Sequence, residues 1–181
     1  MAKTIKQHTL RELDEAANEF QEERDRACAI LGAAQLEYLL GLSITKALPN
    51  GEAVGEELIV GTNAPLGSFS ARILSAYGMG IIDSDTRDEL DQIRHIRNRF
   101  AHRLDLHRFE DSSEVVSRCN NLRRGKKLAE GFDEPTRSDL LKPKYLFTTT
   151  VIDLIDEMQV LAGLRKEKVE RVLLTRSGEA G

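Results

Sequence analysis

An arginine and a histidine five positions apart, in the run Arg97-Asn98-Arg99-Phe100-Ala101-His102, are the residues best suited to chemistry. A guanidinium holds a phosphate through planar, bidentate hydrogen bonds. An imidazole, with an unperturbed pKa of about 6.5, moves protons near neutrality. Together they suit metal-free RNA cleavage, in which a ribose 2′-hydroxyl attacks the adjoining phosphate. Five positions on an α-helix amount to about 140° of rotation, so Arg97 and His102 do not share one narrow face. Asn98 and His102, four apart, do. Two copies of this helix packed across a two-fold axis would line one groove with both pairs.

Arg97 is also an anomaly of pattern. Leu90, Ile93, Phe100 and Leu104 fall at a spacing of three and four residues that predicts a buried seam. Arg97 stands between Ile93 and Phe100, where another apolar residue belongs. An unpartnered buried guanidinium is expensive, several kcal/mol. It therefore either faces a polar cleft or has a fixed carboxylate. Glu37, expected amid Ile30, Ala34, Gly41 and Ile44 on an earlier helix, is the candidate carboxylate. Arg72, on a short helix, could join the same cleft, while Tyr77 five residues later is expected in the core.

Charge is unevenly spread. From Arg94 to Lys127 there are ten basic residues against four acidic ones, a balance of +6 that leaves −10 on the rest of a chain of net charge −4. Such asymmetry fits either a solvated basic loop or a surface that meets phosphate or an acidic partner. Arg94, Arg99, Arg123, Arg124, Lys126 and Lys127 are the candidate nucleic-acid contacts. In an exposed loop, Arg123-Arg124-Gly125-Lys126-Lys127 would bind without sequence preference. His95 and His107 read as surface residues, and no cluster has metal-ligand spacing.

The elements that position these residues read as helices. Thr9 can cap a run from Leu10, with Glu12 at capping-box spacing. Residues 24–48 carry apolar positions at helical spacing (Ala27, Ile30, Leu31, Ala34, Tyr38), and Pro49-Asn50-Gly51 stops them. Residues 51–66 read as a connector. Ser68 or Ser70 would begin a short helix ended by Gly78 or Gly80. Ser84, after Asp83, would cap a helix over 85–103. A short helix is expected within 107–118, a polar loop over 122–144, and a last helix from near Thr148 through Leu161. Residues 175–181 read as a frayed tail. Strand-like alternation is nearly absent, which predicts one all-α domain over residues 1–181, a multi-helix bundle with its core at about 9–165.

Two resemblances attach to these residues. Arg97 through His102 resembles the R-x4-6-H motif of HEPN domains, which are all-helical, usually dimeric and often metal-independent ribonucleases. That likeness implies catalytic roles for Arg97 and His102, with Asn98 in support. Ala64-Pro65-Leu66-Gly67-Ser68-Phe69-Ser70-Ala71-Arg72, followed by Ala76-Tyr77-Gly78-Met79-Gly80-Ile81-Ile82, is similar to the central signature of the mannitol operon repressor family. The likeness covers about residues 30–105, with Ala64 where that family often has glycine, and leaves the C-terminal part unmatched. It implies a bacterial negative regulator of transcription. No helix-turn-helix accompanies it, because the Arg-rich helix after Tyr77-Gly78-Met79-Gly80 spends one face in the core. Protein–protein contact, in a homodimer with a regulatory protein partner, is then expected over direct DNA reading, with RNA as the alternative partner.

Composition narrows the classes further. Of 181 residues, 40% are hydrophobic and 31% charged, too apolar for a disordered chain. No stretch of 18 to 20 uncharged apolar residues and no signal peptide is evident, so neither a membrane nor an export route is expected. Cys28 and Cys119 alone make no disulfide framework or zinc site, and Cys28 is expected as a small core residue. Pro65-Leu66-Gly67 follows no strand, so it is a turn, not a phosphate loop. The chain reads as reduced and cytoplasmic, with no cofactor and no metal.

Overall fold

The computed structural model describes residues 24–61 and 63–166, apart from the side chain of Glu52. The expected helix from Leu10 and the tail at 175–181 lie outside the described residues. Within them are eight α-helices and no strand, so the protein is an all-α bundle.

Helix α1 (Asp25–Ala47) is the axis of the bundle. Cys28, Ala29, Ala33, Leu36, Leu39, Leu40 and Ile44 are buried in it, and it packs on four other helices. Its apolar residues face several neighbours rather than forming one stripe. By length and composition α1 could cross a membrane: an 18-residue window has a mean hydropathy of 1.5. Every such window of α1 contains the charged Glu37, so it is not the uncharged apolar stretch whose absence the sequence led us to expect. In the bundle, 61% of that window is buried. The face expected around Glu37 is shifted, since Ala33 is buried and Ala34 exposed.

After the stop at Pro49, α2 (Gly51–Ile59) replaces the expected connector. The reason is packing against α1. A Cβ on Gly55 would lie 2.4 Å from Thr45 Cγ2, and Ile59 presses on Gly41. Helix α3 (Phe69–Gly78) begins as expected, with the Ser68 hydroxyl accepting from the Ala71 N–H at 3.2 Å. Tyr77 is exposed instead of buried, and its ring meets the Arg87 guanidinium at 4.8 Å rather than the core.

Helix α4 (Ser84–His102) carries the candidate residues. Its cap is Asp83, not Ser84. The Asp83 carboxylate accepts from the Thr86 N–H at 2.8 Å, which holds its pKa below the ordinary range. A 3-10 turn at Phe109–Asp111 and α5 (Ser113–Cys119) follow.

The expected loop over 122–144 holds α6 (Arg123–Ala129) and α7 (Thr136–Leu140), and the last helix, α8, starts early, at Pro143–Leu161. Proline at the first helical turn is compatible with a helix start. Gly125 explains α6, because it lets α6 lie directly on α8. A Cβ there would be 2.7 Å from the Leu146 carbonyl oxygen, and the Gly125 N–H donates to Thr150 Oγ1 at 3.0 Å. Polar composition concealed a helix held by tertiary contact.

Candidate functional site

The buried residues of α4 are Thr86, Glu89, Leu90, Ile93, Ile96 and Phe100. Ile96, not Arg97, fills the seam between Ile93 and Phe100. Leu104, expected as its last member, lies beyond the helix and is 83% exposed. The helix ends at His102, and the chain turns before reaching the core again at Leu106 and Phe109. Phe109 then packs edge-on against Phe100 and tilted against Phe147, at 5.0 and 5.2 Å.

Arg97 is therefore on the flank of the seam, half-buried, beside α1. Its Nη2 donates to Glu37 Oε2 at 3.3 Å within the same chain. Asn98 is half-buried and His102 exposed, and among the described residues no side-chain hydrogen bond reaches the His102 imidazole. Arg97 and His102 diverge on the helix as their spacing requires, and a single chain does not bring them to one point.

Arg72 reaches Glu37 at its backbone carbonyl and not at the carboxylate that Arg97 holds. It is buried, and its three nitrogens donate to backbone carbonyls: Nε to Leu66 at 2.8 Å, Nη1 to Glu37 at 2.8 Å and Nη2 to Ile59 at 3.1 Å. Burial lowers its pKa, opposed by the Glu37 carboxylate. Arg72 fastens the Pro65-Leu66 turn and the end of α2 to the middle of α1. The absence of a side chain at Gly41 makes room, since a Cβ there would meet Arg72 Nη1 at 3.2 Å.

The basic window is largely paired within the chain. Arg94 bonds to Asp91 at 2.9 Å, Arg99 to Glu114, and Arg123 to Asp85 at 3.0 Å. Arg124, expected in an exposed loop, is sequestered. Its Nε and backbone N–H both donate to Glu89, Nη1 donates to Asp153 at 2.7 Å and Glu157 at 2.6 Å, and Nη2 donates to Thr86. Lys126 and Lys127 remain exposed.

Arg26 was not singled out by sequence reasoning. Its guanidinium donates to the carbonyls of Phe100, Arg103, Leu104 and Leu106, gathering the chain where α4 ends. The adjacent Asp25 carboxylate accepts from the Phe109 N–H and pairs with Lys144. These two residues of α1 position the turn that follows His102. The available signal was an ionic pair opening an otherwise apolar helix.

His95 proves half-buried rather than a free surface residue. Its Nε2 accepts from Arg94 Nη2 at 3.0 Å. Cys28 and Cys119 are buried and not joined in a disulfide, and burial pushes the Cys119 thiol far up in pKa. No group of three metal-ligating side chains occurs among the described residues.

No family model, curated protein or solved structure matches the chain.

Proposed function

We propose that the chain is a bacterial regulatory protein of the mannitol operon repressor type, a cytoplasmic negative regulator of transcription that acts mainly through protein contacts, as a homodimer. The sequence likeness over about residues 30–105 supplies the family. One structural observation supports the mode of action: most of the basic window is neutralised by carboxylates of the same chain. DNA affinity depends on many cations that neutralise phosphates and release counterions, and arginines whose charge is already balanced add little net charge for an extended polyanion, although their remaining N–H groups can still donate. Deleting the gene should derepress a sugar-alcohol transport operon, and the tagged protein should co-purify with a defined partner. Unchanged transcripts together with no partner would discard this reading.

A metal-independent endoribonuclease is the second reading, favoured by the exposed His102 imidazole with Asn98 one turn earlier. The Arg97–Glu37 contact is one bond at 3.3 Å, so Arg97 keeps donors for a phosphate. A second copy would have to complete the groove. The purified protein should then leave cyclic-phosphate ends on RNA without added metal, and His102→Ala should abolish this while remaining folded. RNA left intact by wild-type protein rejects it.

A further inference from the structure

Between α4, α5 and the turn into α6 lies a polar cavity of about 670 Å³, within the size range of small-molecule sites. Its walls include Arg94, His95, Gln92, Arg118, Asn120 and Asn121. The two guanidiniums are held by neighbours, of which Asp91, Gln92 and His95 also line the cavity. Arg118 donates through Nε and Nη2 to Glu114 at 3.2 and 3.1 Å, and through Nη1 to Gln92 at 3.2 Å. Arg94 donates through Nε to Asp91 at 3.0 Å and through Nη2 to His95. A guanidinium has five N–H donors, so both arginines are fixed in place with donors to spare. That is preorganisation for an acceptor-rich ligand.

We propose that this cavity binds a small organic phosphate, gripped by Arg94 and Arg118 and hydrogen-bonded by Asn120 and Asn121. His95 responds to the ligand. An arginine can only donate, so His95 Nε2 is an acceptor and the ring is neutral, with its proton on Nδ1. Burial first, then the charges of Arg94 and Arg118, hold the imidazole below its ordinary pKa, against the pull of Asp91 and Glu114. A bound anion reverses the balance: Arg94 Nη2 turns from His95 Nε2 to the anion, and the nitrogen it leaves takes up a proton and becomes a further donor. Arg123 on α6 and Asp88 on α4 complete the charges around the cavity. Asp88 and Asp91 also line the cavity, each beside an arginine, Asp91 with Arg94 at 2.9 Å and Asp88 with Arg123 at 3.7 Å. This inference is independent of the regulatory reading, because it concerns the opposite flank of α4 from the Glu37 contact and needs no transcriptional target.

The test is a titration of the full chain with inorganic phosphate and with sulfate, followed by the His95 imidazole resonances at constant ionic strength. Sulfate keeps one charge state across neutrality, so its pH dependence reports the protein. Saturable shifts are expected, with a higher His95 midpoint when sulfate is bound. Sulfate affinity should rise as pH falls, by up to about tenfold per unit, the limit for uptake of one proton. Arg118→Gln should remove the response, and Arg94→Gln serves if that variant loses its helical circular dichroism. Arg103→Gln, away from the cavity, should respond as wild type. The proposal is overturned if chloride gives the same shifts, if both folded cavity variants respond normally, or if a short RNA oligonucleotide binds there more tightly than phosphate.

Discussion

The two halves of α4 each offer an arginine contact, and they differ in kind. In the first half, Thr86 and Glu89 meet Arg124 of α6, which also reaches Asp153 and Glu157 of α8. Glu89 is 2% exposed and accepts from both the side chain and the backbone of Arg124. In the second half, Arg97 meets Glu37 through one bond, with side chains 28% and 22% exposed. The first joins three helices and leaves its guanidinium no freedom. The second joins two helices and could exchange its partner. Pattern alone made Arg97 the buried, exceptional arginine, whereas packing buries Arg72 most deeply and surrounds Arg124 with carboxylates.

The largest effect that would sharpen this contrast is expected from Arg124→Met. Three carboxylates would remain together without their cation, and breaking a buried pair this way costs about 3–5 kcal/mol. Urea unfolding near neutral pH should show that loss. A loss no larger than that of Arg97→Met would erase the distinction between the two halves. Gly125→Ala probes the same junction without touching charge. Its Cβ would meet the Leu146 carbonyl at 2.7 Å and two threonine hydroxyls at 2.9 Å. Backbone cannot swing aside as a flexible side chain does, so about 1–3 kcal/mol should be lost. Gly41→Ala, which meets side-chain atoms at 3.2 and 3.3 Å, should cost less.

What could be read from sequence follows the same division. Helix α1 was legible because its apolar spacing ends at a proline, and α3 because Ser68 caps it. Helix α4 was legible to within one residue at its cap. Its burial phase was not, because Ile93 fits a seam through either Ile96 or Arg97, and only the neighbouring helices decide. Residues 122–144 were illegible for a similar reason. Arg124 and Gly125 look like loop residues until carboxylates from two other helices and a flat stretch of α8 are placed beside them. Arg26 was overlooked, although the reasoning applied to Arg97 suits it equally: a cation in an apolar helix needs acceptors, and it finds four carbonyls at the end of α4. Of the candidate site, the chemistry of each side chain was legible. Its convergence was not, since that depends on which neighbours claim each cation.

An intermediate effect is expected at Glu37 and Arg97. A pair joined by one long bond at the edge of the bundle contributes about 0–1 kcal/mol, as a surface pair does. A double-mutant cycle with Glu37→Gln and Arg97→Gln should give a coupling in that range, and the charge swap of both residues should fold. Coupling well above about 1 kcal/mol would make the pair part of the architecture and withdraw Arg97 from any ligand. Coupling near zero would leave its guanidinium free to turn to a phosphate or to a second subunit.

The smallest effect lies just past the end of α4, where Arg103 donates to Asp105 at 2.9 and 2.6 Å. Both side chains are more than half exposed. The bond and charge of Arg103 hold the Asp105 carboxyl down to about 2. Carboxyl chemical shifts should therefore give a midpoint near that value, and Arg103→Gln should return it towards the ordinary value of about 3.9. A carboxyl depressed in the folded state favours folding above its unfolded pKa, and that contribution disappears as pH falls through the folded value. Water screens this pair, so concentrated salt should also raise the midpoint, the Debye length falling to about 3 Å at 1 M. Persistence of the low midpoint in 1 M salt would mean that the turn anchored by Arg26 is held more rigidly than two exposed side chains require. His102, at the start of that turn, would then be presented in a fixed position, as a partner-dependent site needs.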